Sequence, residues 1–406
     1  MPQDAPGGSK GTGAMATRAT IDLVYFDAGG GHRAAAQALE AVIREQRRPW
    51  QVRLVHLRQV LDPQGLFRRY TGLDPEDLYN KRLARGWTST FAQELKLLQA
   101  AIRFAHPLLV RTMQRHWLHT EPDLVVSLVP HFNRALHASL GAALPGVPMV
   151  TVLTDLADTP PHFWIEPGQA QHIVCGTPRA LAQARAAGHP LPRLHLTSGM
   201  LLRPDFYRPA GVEREAERQR LGLAGAGPVG VVMFGGHGGR AMLTIARQLP
   251  DVPLVLMCGH NHALAQRLRA LPAAAPRVVV EFTPDVAHWL RLGDFFIGKP
   301  GPGAISEALH CGLPLILAHN RSTMPQERYN VEWVRTQGVG VVQPSFASVR
   351  AAVAEVCARL PELRERVRAI DNRAVFELPE ILQAVLMEAQ QAPPRQWVAP
   401  AAAAVA

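Results

Sequence analysis

Four cysteines in 406 residues are too few, and too widely spaced, for a disulfide framework. Cys175, Cys258, Cys311 and Cys357 form no CxxC pair and no Cys/His metal spacing, so they read as reduced, mostly buried thiols of a cytosolic protein. Long apolar runs are also missing: a stretch such as 147–153 falls far short of a membrane span. The first 20 residues are rich in Gly, Ser and Ala and lack the apolar core of a signal peptide. They read as a disordered leader, with Met15 as a second candidate start. The Pro- and Ala-rich tail 392–406 reads as disordered too. No short internal repeat is present, which excludes a solenoid.

Acidic residues are in deficit. Lys and Arg number 43 against 33 Asp and Glu, giving a net charge of +10. Such a chain is drawn to an anionic partner: nucleic acid, a phosphorylated substrate or a membrane surface. No nucleic-acid motif accompanies the charge, so nucleic acid is not expected as a partner. The length suits two domains.

The pattern is an alternation of short apolar runs and helical stretches. Runs at 21–26, 51–57, 123–128, 147–153 and 171–175 read as strands, with helices at 34–47, 133–140 and 178–187 between them. A second set of strands follows at 229–234, 253–258, 277–282, 295–298, 314–317 and 340–342, and a last helix at 381–390. This is α/β architecture with mostly parallel sheets. The stretch 201–228 has no strand signal and carries Pro204, Pro209, Gly222, Gly225 and Gly227, so it reads as an interdomain linker. The expected layout is a leader at 1–20, an N-terminal domain at 21–200, the linker, a C-terminal domain at 229–376, a C-terminal helix at 377–391 and the tail. Segment 66–118 is different: helical and basic, with aromatics interleaved. It fits either an anionic bilayer surface or an ordinary solvated helix pair.

Two glycine-rich loops lie more than 250 residues apart. Gly29, Gly30, Gly31, His32 and Arg33 follow the first strand, and Lys299, Pro300, Gly301, Pro302 and Gly303 follow the run at 295–298. Each reads as strand, tight loop, helix. Glycine lets backbone approach a ligand, and the helix start offers free N–H groups to an anion. A third such loop runs from Phe234 to Arg240. Two α/β halves facing one phosphate-bearing substrate are implied.

With these loops stand Thr154-Asp155-Leu156, Met257-Cys258-Gly259-His260-Asn261, Ser306-Glu307-Ala308-Leu309 with Gly312-Leu313-Pro314, and Gln326-Glu327 with Asn330. In this order the series resembles the inverting glycosyltransferases that group monogalactosyldiacylglycerol synthases and processive diacylglycerol glucosyltransferases with the GlcNAc transferase making lipid II. The match runs from about residue 21 to 340. The GGGHR and GPG loops are closer to the diacylglycerol enzymes. The resemblance implies a GT-B fold: two Rossmann-like domains with mostly parallel sheets facing a cleft, nucleotide sugar on the C-terminal half, acceptor on the N-terminal half. It implies a hexose, galactose or glucose, moved with inversion from a UDP-sugar to a lipid acceptor, diacylglycerol, by a protein peripheral on the inner face of the cytoplasmic membrane. The alternatives are a GlcNAc transferase to another lipid or a soluble acceptor, a nucleotide-sugar epimerase, or a non-catalytic nucleotide-sugar sensor.

Inverting transfer needs a base for the acceptor hydroxyl and positive potential for the departing diphosphate. His32 is the leading base candidate, being an imidazole where a strand gives way to a helix. Asp155 is the second, as base or as a group orienting a sugar hydroxyl, with a simple turn role as the alternative. Gly30, Gly31 and Arg33 would lie on the acceptor side. Gly301, Gly303, Ala304 and Ile305 would cradle the diphosphate, while Ser306 would cap the helix or touch phosphate. By resemblance, Glu307 grips the ribose hydroxyls, and Gln326, Glu327 and Asn330 contact the hexose. Gly235, Gly236 and Arg240 are further donor-side candidates. Two departures from the family stand out: Pro325 in place of a Gly, and His237 where an acid is frequent. No cofactor and no metal are expected, since no Asp-x-Asp pair is present.

Overall fold

The computed structural model describes residues 18–27, 30–65, 69, 91–225, 227–321 and 323–391. Most of the expected leader, the whole tail, Gly29 and most of 66–90 lie outside the described residues.

Two six-stranded sheets carry the fold. The first holds β1 (Ala19–Tyr25), β2 (Trp50–His56), β3 (Leu124–Ser127), β4 (Met149–Val152), β5 (His172–Cys175) and β6 (Leu194–Leu196), in the order β2-β1-β3-β4-β5-β6. The second holds β7 (Gly230–Met233), β8 (Leu254–Gly259), β9 (Arg277–Glu281), β10 (Phe295–Gly298), β11 (Leu315–Ala318) and β12 (Gly340–Gln343), in the order β12-β11-β10-β7-β8-β9. All the ladders are parallel. Parallel strands need crossovers, so helices cover both faces and the strands are apolar on both sides. In β8, Val255 and Met257 join one core cluster while Leu254, Leu256 and Cys258 join the other.

The sequence reading missed β6. It is three residues long, half-exposed at the sheet edge and preceded by Pro190 and Pro192, so it carries neither length nor apolar pattern. Residues 201–228 are more than a tether. Leu202, Phe206 and Leu223 are buried in the second sheet's core, and the helix Arg214–Arg220 packs there through Arg218 and Asp294. The last helix is Ala374–Gln391, longer than expected, with Pro379 inside it. It returns to the first sheet, where Leu378, Leu382, Val385 and Leu386 pack with Ile21, Leu23 and Leu39. The described part of 66–118 includes two helices, Phe91–Phe104 and His106–Thr120.

This topology fixes where ligands meet the sheets. Strand order reverses between β1 and β3 in the first sheet and between β7 and β10 in the second. At such a switch point the loops leaving neighbouring strands diverge and open a crevice. The first crevice is bordered by the loops that end at His32 and hold His131. The second is bordered by the loops 234–240 and 299–303.

Candidate active site

On the first half, Gly30 stands at φ 81° and caps the helix Gly31–Glu45. A residue with a Cβ resists that conformation, so glycine sets the sharp entry that brings His32 to the helix's first turn. His32 Nδ1 lies 2.9 Å from Thr154 Oγ1, and its ring centroid is 5.7 Å from that of Trp164. Burial lowers its pKa to about 4, opposed by a hydrogen bond to the backbone of Leu128. His32 is therefore neutral at physiological pH. His131 stands beside it at φ 66°, its ring edge-on to Phe163. Burial and then the charge of His32 lower its pKa to about 4 as well. Arg33 folds back onto Asp27 at 3.1 Å.

Asp155 follows β4 and is buried. Its Oδ2 accepts a 2.9 Å hydrogen bond from Trp164 Nε1. Trp164 is itself held at both backbone ends: its N–H donates to Asp158 Oδ1 at 2.7 Å and its carbonyl accepts from Asn133 Nδ2 at 2.9 Å. Asn133 Oδ1 in turn accepts from Ser127 Oγ at 2.6 Å. A buried polar network thus runs from β3 to the Asp155 carboxylate, and every link is satisfied within the protein. Burial raises the Asp155 pKa to about 7; Trp164 and Lys299 oppose the rise, while Glu327 and Asp158 add to it. Two of those groups belong to the second half, so Asp155 looks across the cleft.

On the second half, the helix Pro302–His310 begins with Pro at its first position and Gly301 as N-cap. Its first internal hydrogen bond runs from Ile305 N to Gly301 O, which leaves the N–H groups of Gly303 and Ala304 at the open end. Lys299 Nζ lies 3.1 Å from Glu327 Oε1, and its side chain borders both glycine loops: a Cβ on Gly235 or Gly301 would come within 3.9 and 3.5 Å of Lys299 Cε. The loop 234–240 is strapped to the turn after β8. His260 N donates to Gly236 O at 2.8 Å and Asn261 Nδ2 to His237 O at 3.2 Å. Burial raises the Glu307 pKa to about 7 against the opposing charge of Arg203.

The structure brings His32 and Asp155 together around Trp164, and gathers Gly235, Gly301 and Glu327 around Lys299, with Gly236 on the first of these loops and Gly303 and Ala304 at the helix start after the second. Ile305 is buried under the loop. Gln326 is half-buried, its amide near Met324 Sδ, and Arg240 is exposed where the helix Ala241–Gln248 begins. Two residues differ from expectation. Ser306 does not cap: it sits in the second turn, beyond Gly301, and lines a cavity between the halves with Leu156, Met200 and His310. Asn330 is fully buried, and its amide donates to Pro300 O at 2.8 Å, so it props the loop from beneath. Lys299, Trp164 and His131 were not assigned roles from the sequence. Lys299 had a signal, its place inside the glycine motif; Trp164 and His131 reach the site only through tertiary packing.

Two parallel-sheet halves with glycine loops at facing switch points define a glycosyltransferase fold of the GT-B type. Solved structures share it. Calicheamicin glycosyltransferase CalG4 aligns with TM-score 0.57 and 17% identity over 91% of this chain and 99% of its own. Anabaena HepE in complex with UDP aligns with TM-score 0.51 and 15% identity over 91% and 100%. The chain's homologues are monogalactosyldiacylglycerol synthases. The probable monogalactosyldiacylglycerol synthase 2, chloroplastic, of Oryza sativa subsp. japonica is 29% identical over 353 residues, covering 79% of this chain and 69% of the relative. The chloroplastic monogalactosyldiacylglycerol synthase of Spinacia oleracea is 27% identical over 350 residues, covering 82% and 65%. The chain spans about two thirds of the length of these curated relatives. No family model matches it.

Proposed function

We propose that the protein is an inverting hexosyltransferase, moving galactose or glucose from a UDP-sugar to the hydroxyl of diacylglycerol. The observation that carries this is that Asp155 on one half lies within electrostatic reach of the Lys299–Glu327 ion pair on the other. A proton acceptor thereby faces a cation and two phosphate-binding loops, which is what a displacement at a sugar carbon needs. The acceptor oxygen attacks the anomeric carbon as the bond to the diphosphate breaks, and the His32–Asp155 pair supplies the base. Gly303 N–H, Ala304 N–H and Lys299 take the developing charge on the diphosphate, while Glu307 accepts from the ribose hydroxyls. The relatives' names supply the lipid acceptor, and the neighbour solved with UDP supplies the nucleotide.

A lipid acceptor asks for a membrane surface. The helices Phe91–Phe104 and His106–Thr120 expose Leu97, Leu98, Phe104 and Leu108 beside Lys96, Arg103 and Arg111. Apolar side chains flanked by cations suit an anionic bilayer interface. Among the described residues no helix is long and apolar enough to cross a membrane. Peripheral attachment to the inner face of the cytoplasmic membrane is the placement proposed. UDP release by the purified protein, with each UDP-hexose and with or without diacylglycerol in anionic vesicles, tests the reading. The product's anomeric configuration by NMR tests inversion. Binding of UDP-sugar with no release under any acceptor would favour a sensor.

A further inference from the structure

The edge of the first sheet carries a histidine pair that the proposed chemistry does not use. His172 on β5 is 5% exposed and shares a strand face with Val174, and His195 on β6 stands opposite Val174. The two rings stack, with centroids 5.4 Å apart and planes at 24°, and His172 Nδ1 lies 3.1 Å from His195 Nε2. The last helix, Ala374–Gln391, closes over this face. Its Val385 and Leu386 pack with Val150 and Val174, and its Glu388 brings Oε2 to 3.7 Å from His172 Nε2.

A hydrogen bond between two imidazoles needs a proton on one nitrogen and a lone pair on the other. The neutral pair and the singly protonated pair can both make it. With both rings charged, two N–H groups and two positive charges face each other across 3.1 Å. Glu388 offsets one ring weakly, because it stands 3.7 Å away with its side chain 62% exposed to water. Arg193, from the turn before β6, adds a further positive charge while its guanidinium holds the Ala170 carbonyl.

We infer that the His172–His195 pair is a pH-sensitive latch for the end of the last helix. It holds the turn carrying Val385, Leu386 and Glu388 on the first sheet while at most one ring is protonated, and releases it when both are. The near end of the same helix is fastened where the halves join. Glu377 Oε2 accepts from Ser198 N at 2.8 Å, and Asn372, just before the helix, donates through Nδ2 to Met200 O at 2.9 Å. The last helix is thus a strap from the junction of the halves to the sheet edge, and its far fastening is built of imidazoles. Release bares Val385 and Leu386 beside Met387, which is already exposed.

Burial sets the sign. Burial, and then His195, lower the His172 pKa to about 4, with Glu388 opposing and Arg193 adding to the fall. Burial lowers that of His195 too, again with Glu388 opposing. Once the helix end is released, both rings regain water and titrate near their ordinary value of about 6.5. The docked state therefore binds fewer protons than the released one. Docking has its full strength above neutrality and weakens as pH falls below about 6.5, by up to about tenfold per pH unit for each ring.

The test needs neither donor nor acceptor, so it is independent of the functional reading. Hydrogen–deuterium exchange of the full chain, scaled for the intrinsic rate at each pH, is compared at pH 7.5 and pH 5. Amides of 382–388 are expected to lose protection by at least about tenfold at pH 5, reversibly, while those of the second sheet keep theirs. H195Q leaves His172 a hydrogen-bond partner but cannot take the second charge, so it should hold the helix end at pH 5. H172L should do the same with an apolar side chain under the helix. E388Q should begin the release at higher pH, since it removes the carboxylate that offsets the charge. Full protection of 382–388 in wild type at pH 5, or an equal loss in H195Q and H172L, would overturn the latch.

Discussion

Lys299 and Glu327 form a 3.1 Å ion pair between the glycine loops of the second half, and Glu327 is almost wholly buried there. In the proposed function, this carboxylate holds the ammonium where the donor's diphosphate would sit. Donor binding would give Lys299 a second anionic partner and free Glu327 to accept from the hexose. K299M should therefore weaken UDP-glucose binding by roughly ten- to hundredfold, the worth of one charge-assisted hydrogen bond. Isothermal calorimetry measures it. The double variant K299M/E327Q should recover part of the stability lost in K299M, because no unpaired buried carboxylate remains. Wild-type affinity in K299M would refute the role.

If Glu307 grips the ribose as proposed, donor binding should depend on pH. Its carboxyl is raised by burial to about 7, so in the free protein it is largely protonated below neutrality. The ribose hydroxyls are best accepted by the ionised form. Bound donor then favours ionisation, so UDP-hexose affinity should rise as pH increases from 6 to 8, and weaken as pH falls. E307Q should bind more weakly and lose the slope. A slope unchanged in E307Q would assign the titration elsewhere.

The turn after β8 touches the donor loop directly. Gly259 stands at φ +57°, and a Cβ there would lie 2.1 Å from the Gly236 carbonyl oxygen. G259A must push loop 234–240 away or break the His260–Gly236 hydrogen bond. We expect a folded protein with a lower Tm and UDP affinity reduced at least about tenfold, equivalent to ~1.4 kcal/mol. Unchanged affinity would mean that this loop does not contact the donor.

Asp294 is the anchor of the second half. It accepts from Val229 N and pairs with Arg214, Arg218 and Arg364. Burial opposes its ionisation, but the Val229 N–H and the guanidinium of Arg218 prevail and hold its pKa below the ordinary value. The sign follows from that depression. The stabilisation is fully present above the unfolded carboxyl's pKa and is lost as pH falls through the lower folded value. D294N should cost about 3–5 kcal/mol in urea unfolding at pH 7, as for other broken buried pairs.

How far the sequence revealed this molecule depends on the kind of signal each part carries. Strands of the two sheets were legible because both faces are buried, and an apolar run between glycines is a local pattern. β6 was not, because an exposed three-residue edge has no such pattern. Glycine loops showed themselves by composition, and Lys299 could have been found with them. Trp164 could not: its role depends on Asn133 and Asp158 fixing it against Asp155, contacts made only in the folded chain. Asn330 shows the converse. Its place in the motif pointed to sugar, yet in the fold its amide holds the Pro300 carbonyl.

Lipid-dependent release of UDP is the most direct test of the central claim. Purified protein is given UDP-galactose, UDP-glucose or UDP-GlcNAc, each with anionic vesicles that contain or lack diacylglycerol. The account predicts sustained release with UDP-galactose or UDP-glucose only when diacylglycerol is present, with one glycolipid product. Release that ignores the lipid, or tight donor binding with no release at all, would contradict it.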